Sequence, residues 1–284
     1  MRDDDYIMSA YNVRMPKIIY GTAWKKEDTA GYVEQALACG FKGIDTACQP
    51  KHYHEKGVGD ALSVCLNDNL KREDIYLQTK FTPVNGQDPE RIPYDPKARL
   101  SLQVEQSFQT SLDNLKTTYL DGLVLHSPLA KQAELMEVWR AMEAIVSSGA
   151  CKQLGISNCY KLKQLETLYK KAKIKPAVLQ NRFYAKTGYD RELREFCRKH
   201  HIIYQSFWTL SANPELLQHE LIQNFAEQYQ RSTAQIFFRY LSQQGIIPLT
   251  GTTSVPHMQN SMALFEFKLS PEECALIDGL LPAA

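Results

Sequence analysis

No stretch of this chain approaches the ~18 consecutive apolar residues of a membrane-spanning helix, so that class is excluded. Charge of one sign is lacking too. The 33 Lys+Arg face 32 Asp+Glu, leaving a net charge of +1, whereas a nucleic-acid binder needs a concentrated basic surface. The amino terminus, MRDDDYIMSAYNVRMP, has neither the basic start nor the apolar run of a secretory signal. A soluble, cytoplasmic protein with no membrane or nucleic-acid partner is therefore expected. The seven cysteines (Cys39, Cys48, Cys65, Cys151, Cys159, Cys197 and Cys274) form no CxxC pair and are odd in number. Neither a disulfide framework nor a thiolate metal site is spelled out, and reduced, mostly buried thiols are expected. No GxGxxG follows the first strand-like run, so the fingerprint of an open dinucleotide-binding sheet is missing. Low-complexity tracts and domain linkers are absent as well.

What is present is a rhythm. Short β-branched runs alternate with longer segments of helical periodicity: Lys17–Gly21, Phe41–Ala47, Asp74–Lys80, Asp121–His126, Cys151–Ser157, Ala177–Asn181, His201–Phe207 and Gly245–Gly251 read as strands. Helical patterns follow each, and Pro214–Gln243 reads as one long helical region. Gly40 stands where a helix must stop, and Ser270-Pro271-Glu272-Glu273 has the form of a helix start. Eight strand-then-helix units in 284 residues predict a single (β/α)8 TIM barrel domain spanning residues 1–284. The doubly wound open sheet is the weaker alternative. One interval breaks the rhythm: Phe81–Pro96 holds four prolines and a glycine. It follows a strand, so it is expected on the carboxyl rim as a lid, a binding loop or a plain insertion.

Polar residues end the strands. Asp45, Lys80 and His126 close strands two, three and four, followed by Ser157-Asn158 on strand five and Gln180 on strand six. Any one of them has an ordinary structural explanation, but a barrel gathers such ends onto one face. The chemistry that fits is acid-assisted reduction of a carbonyl. An Asp45 carboxylate would hold a buried Lys80 ammonium, and that cation would lower the pKa of a nearby phenol. Tyr53, in the loop after strand two, is the tyrosine placed to respond. His126 would orient the substrate oxygen, and the amides of Asn158 and Gln180 suit a cofactor carboxamide.

These residues resemble the aldo-keto reductase family. GTAW (Gly21–Trp24) is similar to its GTW, GFKGIDTA (Gly40–Ala47) to its GYRHIDTA, and QTK (Gln78–Lys80) to its TTK. LVLHSP (Leu123–Pro128), GISN (Gly155–Asn158) and PAVLQ (Pro176–Gln180) continue the match in order, so that it runs from about Met15 to Leu269. The resemblance implies a catalytic tetrad of Asp45, Tyr53, Lys80 and His126, with Tyr53 as proton donor, and NADPH lying extended across the rim. It also implies cofactor contacts from Gly21, Thr22, Ser157, Asn158, Gln180, Trp208, Leu210, Thr250, Gly251, Thr252, Thr253, His257 and Asn260, with Phe207 stacked on the nicotinamide. Trp24, His126 and Trp208 would line the substrate pocket of a monomer acting on small carbonyl compounds.

Four departures from the family pattern stand out. The family tyrosine usually lies five residues after the aspartate, where this chain has Pro50, and His52 and His54 flank the displaced Tyr53 as alternative acids. Strand eight is followed by PLTGTTSVPHM (Pro248–Met258), without the Lys and Arg that clamp an adenosine 2′-phosphate, so NADH is an alternative to NADPH. The loop after strand four is compact and the chain stops soon after its last helix, so the pocket wall is expected largely from Phe81–Pro96, Trp24 and Trp208. Arg182 replaces the family's acidic residue two places after Gln180, a change with no functional account at this level. Two other functions share the pattern: a redox-sensing cofactor-binding subunit with little catalysis, and a Schiff-base enzyme using Lys80, which Asp45 opposes by keeping the amine charged.

Overall fold

The eight strand-like runs close on one another. In the computed structural model, which describes residues 2–281, a short antiparallel hairpin of β1 (Tyr6–Met8) and β2 (Arg14–Pro16) precedes eight parallel barrel strands. These are β3 (Ile19–Gly21), β4 (Gly43–Asp45), β5 (Tyr76–Phe81), β6 (Gly122–Leu125), β7 (Leu154–Ser157), β8 (Val178–Arg182), β9 (Ile203–Phe207) and β10 (Ile247–Thr250). Each pairs with the next in sequence, and β10 returns to pair with β3. The (β/α)8 architecture is therefore the one the alternating pattern predicts. Parallel strands buried on both faces are near-continuously apolar, which is why runs such as Ile19-Tyr20 and Gly122–Leu125 declare themselves in the sequence.

The helices pack outside this cylinder. Helix α1 (Thr29–Ala38) ends where predicted, with Gly40 at φ 102° and the Phe41 amide bonded back to the Ala36 carbonyl. Helices α2 (Glu55–Cys65) and α3 (Leu100–Leu115) meet at Gly59, where an added Cβ would fall 2.0 Å from the Asn114 carbonyl oxygen. Helices α4 (Gln132–Ser147), α5 (Leu162–Lys171) and α6 (Arg191–Lys199) continue the ring. The long helical region expected over Pro214–Gln243 is three helices instead: α7 (Pro214–Leu217), α8 (Glu220–Tyr229) and α9 (Thr233–Gln243). Gln230 takes a left-handed φ of 52°, and Ser232 then opens α9 through a capping box with Gln235. Helices α10 (Val255–Met262) and α11 (Pro271–Asp278) follow, the latter capped by Ser270 and Glu273 as its sequence suggests.

The amino-terminal hairpin has no counterpart in the sequence reading. Val13 and Met15 bury against Ile19, Tyr76, Val178, Ile203 and Ile247, the residues that open their strands, so the hairpin plugs the bottom of the barrel. The carboxyl end is left open. Among the described residues all seven cysteines are free thiols, no helix is long and apolar enough to cross a membrane, and no cluster of His, Cys, Asp and Glu is arranged to hold a metal.

Candidate active site

The carboxyl end of the barrel gathers Asp45, Lys80, Tyr53 and His126. Asp45 ends β4 and Lys80 lies one residue before the end of β5, so neighbouring strands bring them together. Lys80 Nζ donates to both Asp45 carboxylate oxygens at 2.7 and 2.6 Å and to the Thr46 carbonyl at 2.8 Å. Lys80 is only 1% exposed. Burial by itself would strip its charge, but the Asp45 carboxylate and the Tyr53 phenol hold its pKa above the ordinary lysine value.

Tyr53 packs over this ion pair, its ring centre 5.0 Å from Lys80 Nζ and 5.9 Å from the His126 ring. A neighbouring cation taken alone would lower the phenol's pKa. The net direction is upward: burial pushes it up, Lys80 pulls it down, and Asp45 adds a further push. His126 is held neutral, its pKa driven down to about 3 by burial, with Lys80 and His52 repelling a second charge. Its Nδ1 lies 2.6 Å from the Thr82 hydroxyl. Of the two flanking histidines, His52 also lines the cavity at this end of the barrel and His54 does not. His52 stacks on Trp24 with ring centres 3.9 Å apart, and His54 precedes α2 with its Nδ1 buried against Gly57.

Beneath Asp45 lies a polar layer inside the barrel. Gln78 and Gln180 donate to Asp45 Oδ1 at 2.6 and 3.0 Å, and both donate to Gln205 Oε1. Tyr76 continues the chain to Gln78 at 2.7 Å. Sequence reading singled out Gln180 but not Gln78 or Gln205, because a glutamine in an apolar strand carries no sign of which neighbour it will meet. The layer matters electrostatically: it fills the lone pairs of Asp45 that Lys80 leaves open, so the carboxylate stays buried and fixed in one orientation.

Above this floor opens a cavity of about 810 Å³ lined from all eight of the barrel's strand ends and their loops. Gly21, Trp24, Tyr53, His126, Ser157, Asn158, Gln180, Phe207, Trp208, Leu210, Thr250, Gly251, Thr252 and Thr253 all contribute. Three expected contacts do not. Thr22 is fully buried with its hydroxyl spent on the Asp45 carbonyl, and His257 and Asn260 stand exposed on α10, outside the cavity. The loop Phe81–Pro96 gives only Thr82 and Gly86 to the lining, which corrects the expectation of a wall or lid. Tyr94 explains why: its hydroxyl bonds the Thr82 carbonyl at 2.7 Å and its ring packs on Phe81, pulling the rest of the loop down the barrel's flank. Missed altogether by the sequence reading was Lys25, buried in the cavity wall with its Nζ on the Gly251 carbonyl at 2.6 Å. Trp24, Asn158 and Trp208 adopt left-handed backbones with φ of 65°, 53° and 55°. For two tryptophans that is an uncommon conformation, of the kind that collects at functional rims.

This arrangement can be set beside known proteins. A sequence model described as the Aldo/keto reductase family matches residues 17–282. The chain belongs to that family. As an aldo/keto reductase it is similar to the glyoxal reductase of Bacillus subtilis (29% identity, over 87% of this chain and 82% of that protein). It is likewise similar to the aldo-keto reductase family 1 member A1 of Gallus gallus (26% identity, 97% and 88%). The crystal structure of an aldo/keto reductase from Brucella melitensis superposes with a TM-score of 0.81 at 27% identity, covering 97% of this chain and 98% of that one. Members of the family use NAD(P)H, and the donor set here fits such a dinucleotide. Phe207 offers an aromatic face, and Gln180 and Asn158 lie in the cavity lining. Their amide nitrogens are engaged by Asp45, Gln205 and the His126 carbonyl, which leaves Gln180 Oε1 open as an acceptor. Gly251, where a Cβ would approach the Gly21 carbonyl to 3.4 Å, keeps backbone accessible beside Lys25 and the hydroxyls of Thr250, Thr252 and Thr253.

Proposed function

We propose that this aldo/keto reductase reduces aldehydes and ketones to alcohols with NADPH, and that Tyr53 is the proton donor. The observation that carries the reading is a buried Lys80 ammonium, fixed on Asp45, standing 5.0 Å from the ring of the one tyrosine among the described cavity-lining residues. The reduced dinucleotide, when bound, supplies a hydride to the carbonyl carbon. Tyr53 meets the negative charge that grows on the carbonyl oxygen. Burial keeps the phenol protonated until that moment, and the Lys80 ammonium stabilises the phenolate left behind. His126, neutral at a pKa of about 3, orients rather than protonates. With the Thr82 hydroxyl donating to Nδ1, its Nε2–H is free to hold the substrate oxygen.

Gly21, Ser157, Asn158, Gln180, Phe207, Trp208 and Leu210 are assigned to the nicotinamide half of the dinucleotide, and Thr250, Gly251, Thr252 and Thr253 to the phosphates of the other half. Lys25 supports the NADPH assignment, because it brings a cation to the end of β10, where the segment Pro248–Met258 supplies no Lys or Arg. Its pKa is lowered to about 8 by burial, so the charge is present at neutral pH. Replacing Tyr53 with Phe tests the proton donor: reduction of an aromatic aldehyde falls by about 10³-fold while dinucleotide binding persists. Near-normal turnover in that variant would remove Tyr53 from the chemistry. Turnover with NADPH and NADH at equal concentration tests the cofactor, and a strong NADH preference would overturn that assignment.

A further inference from the structure

The cavity wall contains three residues with formal charge, Lys25, Asp45 and Arg182. Asp45 is neutralised by Lys80, and Lys25 is occupied by the Gly251 carbonyl. Arg182 is different. Among the described residues its guanidinium makes no salt bridge and no hydrogen bond, and its Nε is buried without a partner. Arg72, by contrast, donates to Thr117, Ile75, Asp121 and Tyr119, and Arg239, which also has a buried Nε without a partner, lies outside the cavity lining. A guanidinium offers five N–H donors, and a stack on an aromatic face satisfies none of them.

Its position adds to the argument. Arg182 ends β8 two residues past Gln180, on the same side of the strand, and Gln180 donates to Asp45. The guanidinium carbon lies 4.0 Å over the Trp208 ring and 5.3 Å from that of Tyr184. The stack fixes the plane of the fork; Nε is buried, so the two Nη groups, which have no hydrogen-bond partner among the described residues, are the pair left to receive a carboxylate through two parallel hydrogen bonds. The dinucleotide phosphates have their own cation in Lys25, at the β10 end of the cavity. We propose that Arg182 is an anion-binding residue that selects carbonyl substrates carrying a carboxylate. This rests on the reductase reading above and extends it to a substrate class.

The test compares 4-carboxybenzaldehyde with its neutral methyl ester in the wild-type protein and in Arg182→Met, which keeps the apolar stack on Trp208 and removes every N–H. The acid-to-ester ratio of kcat/KM should fall about 30-fold, through KM for the acid, as expected for loss of a charged hydrogen-bonded pair. Arg182→Lys should restore part of the ratio, since it returns the charge without the fork. An unchanged ratio overturns the proposal, and an unchanged ratio with a raised KM for NADPH reassigns Arg182 to the dinucleotide. Binding of 4-(hydroxymethyl)benzoate, followed by tryptophan fluorescence, separates the two readings. If the acid binds through Arg182 but neither aldehyde is reduced, the reductase reading fails and the anion site stands. If both aldehydes are reduced with the same ratio in both proteins, the anion site fails and the reductase reading stands.

Discussion

At the amino-terminal end of the barrel Asp121 accepts from Arg72 at 2.9 Å, from Lys152 at 2.7 Å and from the Leu77 amide at 3.0 Å. At the carboxyl end Asp45 accepts from Lys80 at 2.6 Å and from two glutamines. Both are buried carboxylates facing cations. They differ in what surrounds the pair. Around Asp121 the remaining donors of Arg72 go to backbone carbonyls and to Thr117, and the cleft that Asp121 borders beside the hairpin β1–β2 brings no imidazole to the pair. Around Asp45 the pair faces a cavity, with a phenol and a neutral imidazole above it and an unpaired guanidinium at the rim. The same electrostatic unit joins elements together at one end. At the other it holds a charge beneath the phenol that we propose as proton donor.

Removing the cation at each end should cost stability at both but turnover at only one. Lys80→Met leaves Asp45 buried and uncompensated, so it is expected to lower stability by about 3–5 kcal/mol and to reduce turnover by at least 10³-fold. Arg72→Met is expected to destabilise by about 3 kcal/mol, because Lys152 still reaches Asp121, with kcat within about threefold of normal. Denaturant unfolding beside steady-state kinetics measures both. A large kcat loss in the Arg72 variant would mean that the two ends are coupled.

A smaller effect comes from Thr82→Val. It removes the hydroxyl 2.6 Å from His126 Nδ1 while keeping the side chain's shape, and should cost about tenfold in kcat/KM, the worth of one hydrogen bond. An unaltered value would mean that the imidazole holds its orientation without Thr82. The smallest effect is a flat line. His126 titrates near pH 3, so the kcat/KM profile should show no imidazole step near pH 6.5. At high pH the loss should begin first in NADPH binding, as Lys25 discharges above about pH 8, with Tyr53 titrating above its ordinary value. An acid limb near pH 6.5 that vanishes in His126→Gln would show that the imidazole is charged in the working protein.

How much of this could be read beforehand differs from element to element. The barrel strands were legible because burial on both faces forces apolar runs, and helix starts such as Ser270-Pro271 carry their capping chemistry locally. The hairpin at residues 6–16 was not, because its strands are short and half exposed and its burial comes from strand mouths far along the chain. Within 214–243 Gln230 has no sequence mark of a left-handed turn, although Ser232 and Gln235 carry the S-x-x-Q pattern of a helix start. Gly40, by contrast, carries the mark of its turn.

The sequence by itself determined the order of strands and helices, and with it which polar residues would reach the carboxyl face: Asp45, Lys80, His126, Ser157, Asn158 and Gln180. Strand period and chain order suffice for that, since both are local properties. Tertiary structure alone decided what each group would feel. It turned the phenol's pKa upward through burial where the neighbouring cation taken alone points down. It drew Phe81–Pro96 away from the cavity through Tyr94, brought Lys25 to the end of β10, and left Arg182 with an aromatic face and no acid. Desolvation and charge pairing depend on groups distant in the chain, and only the closed barrel fixes those distances.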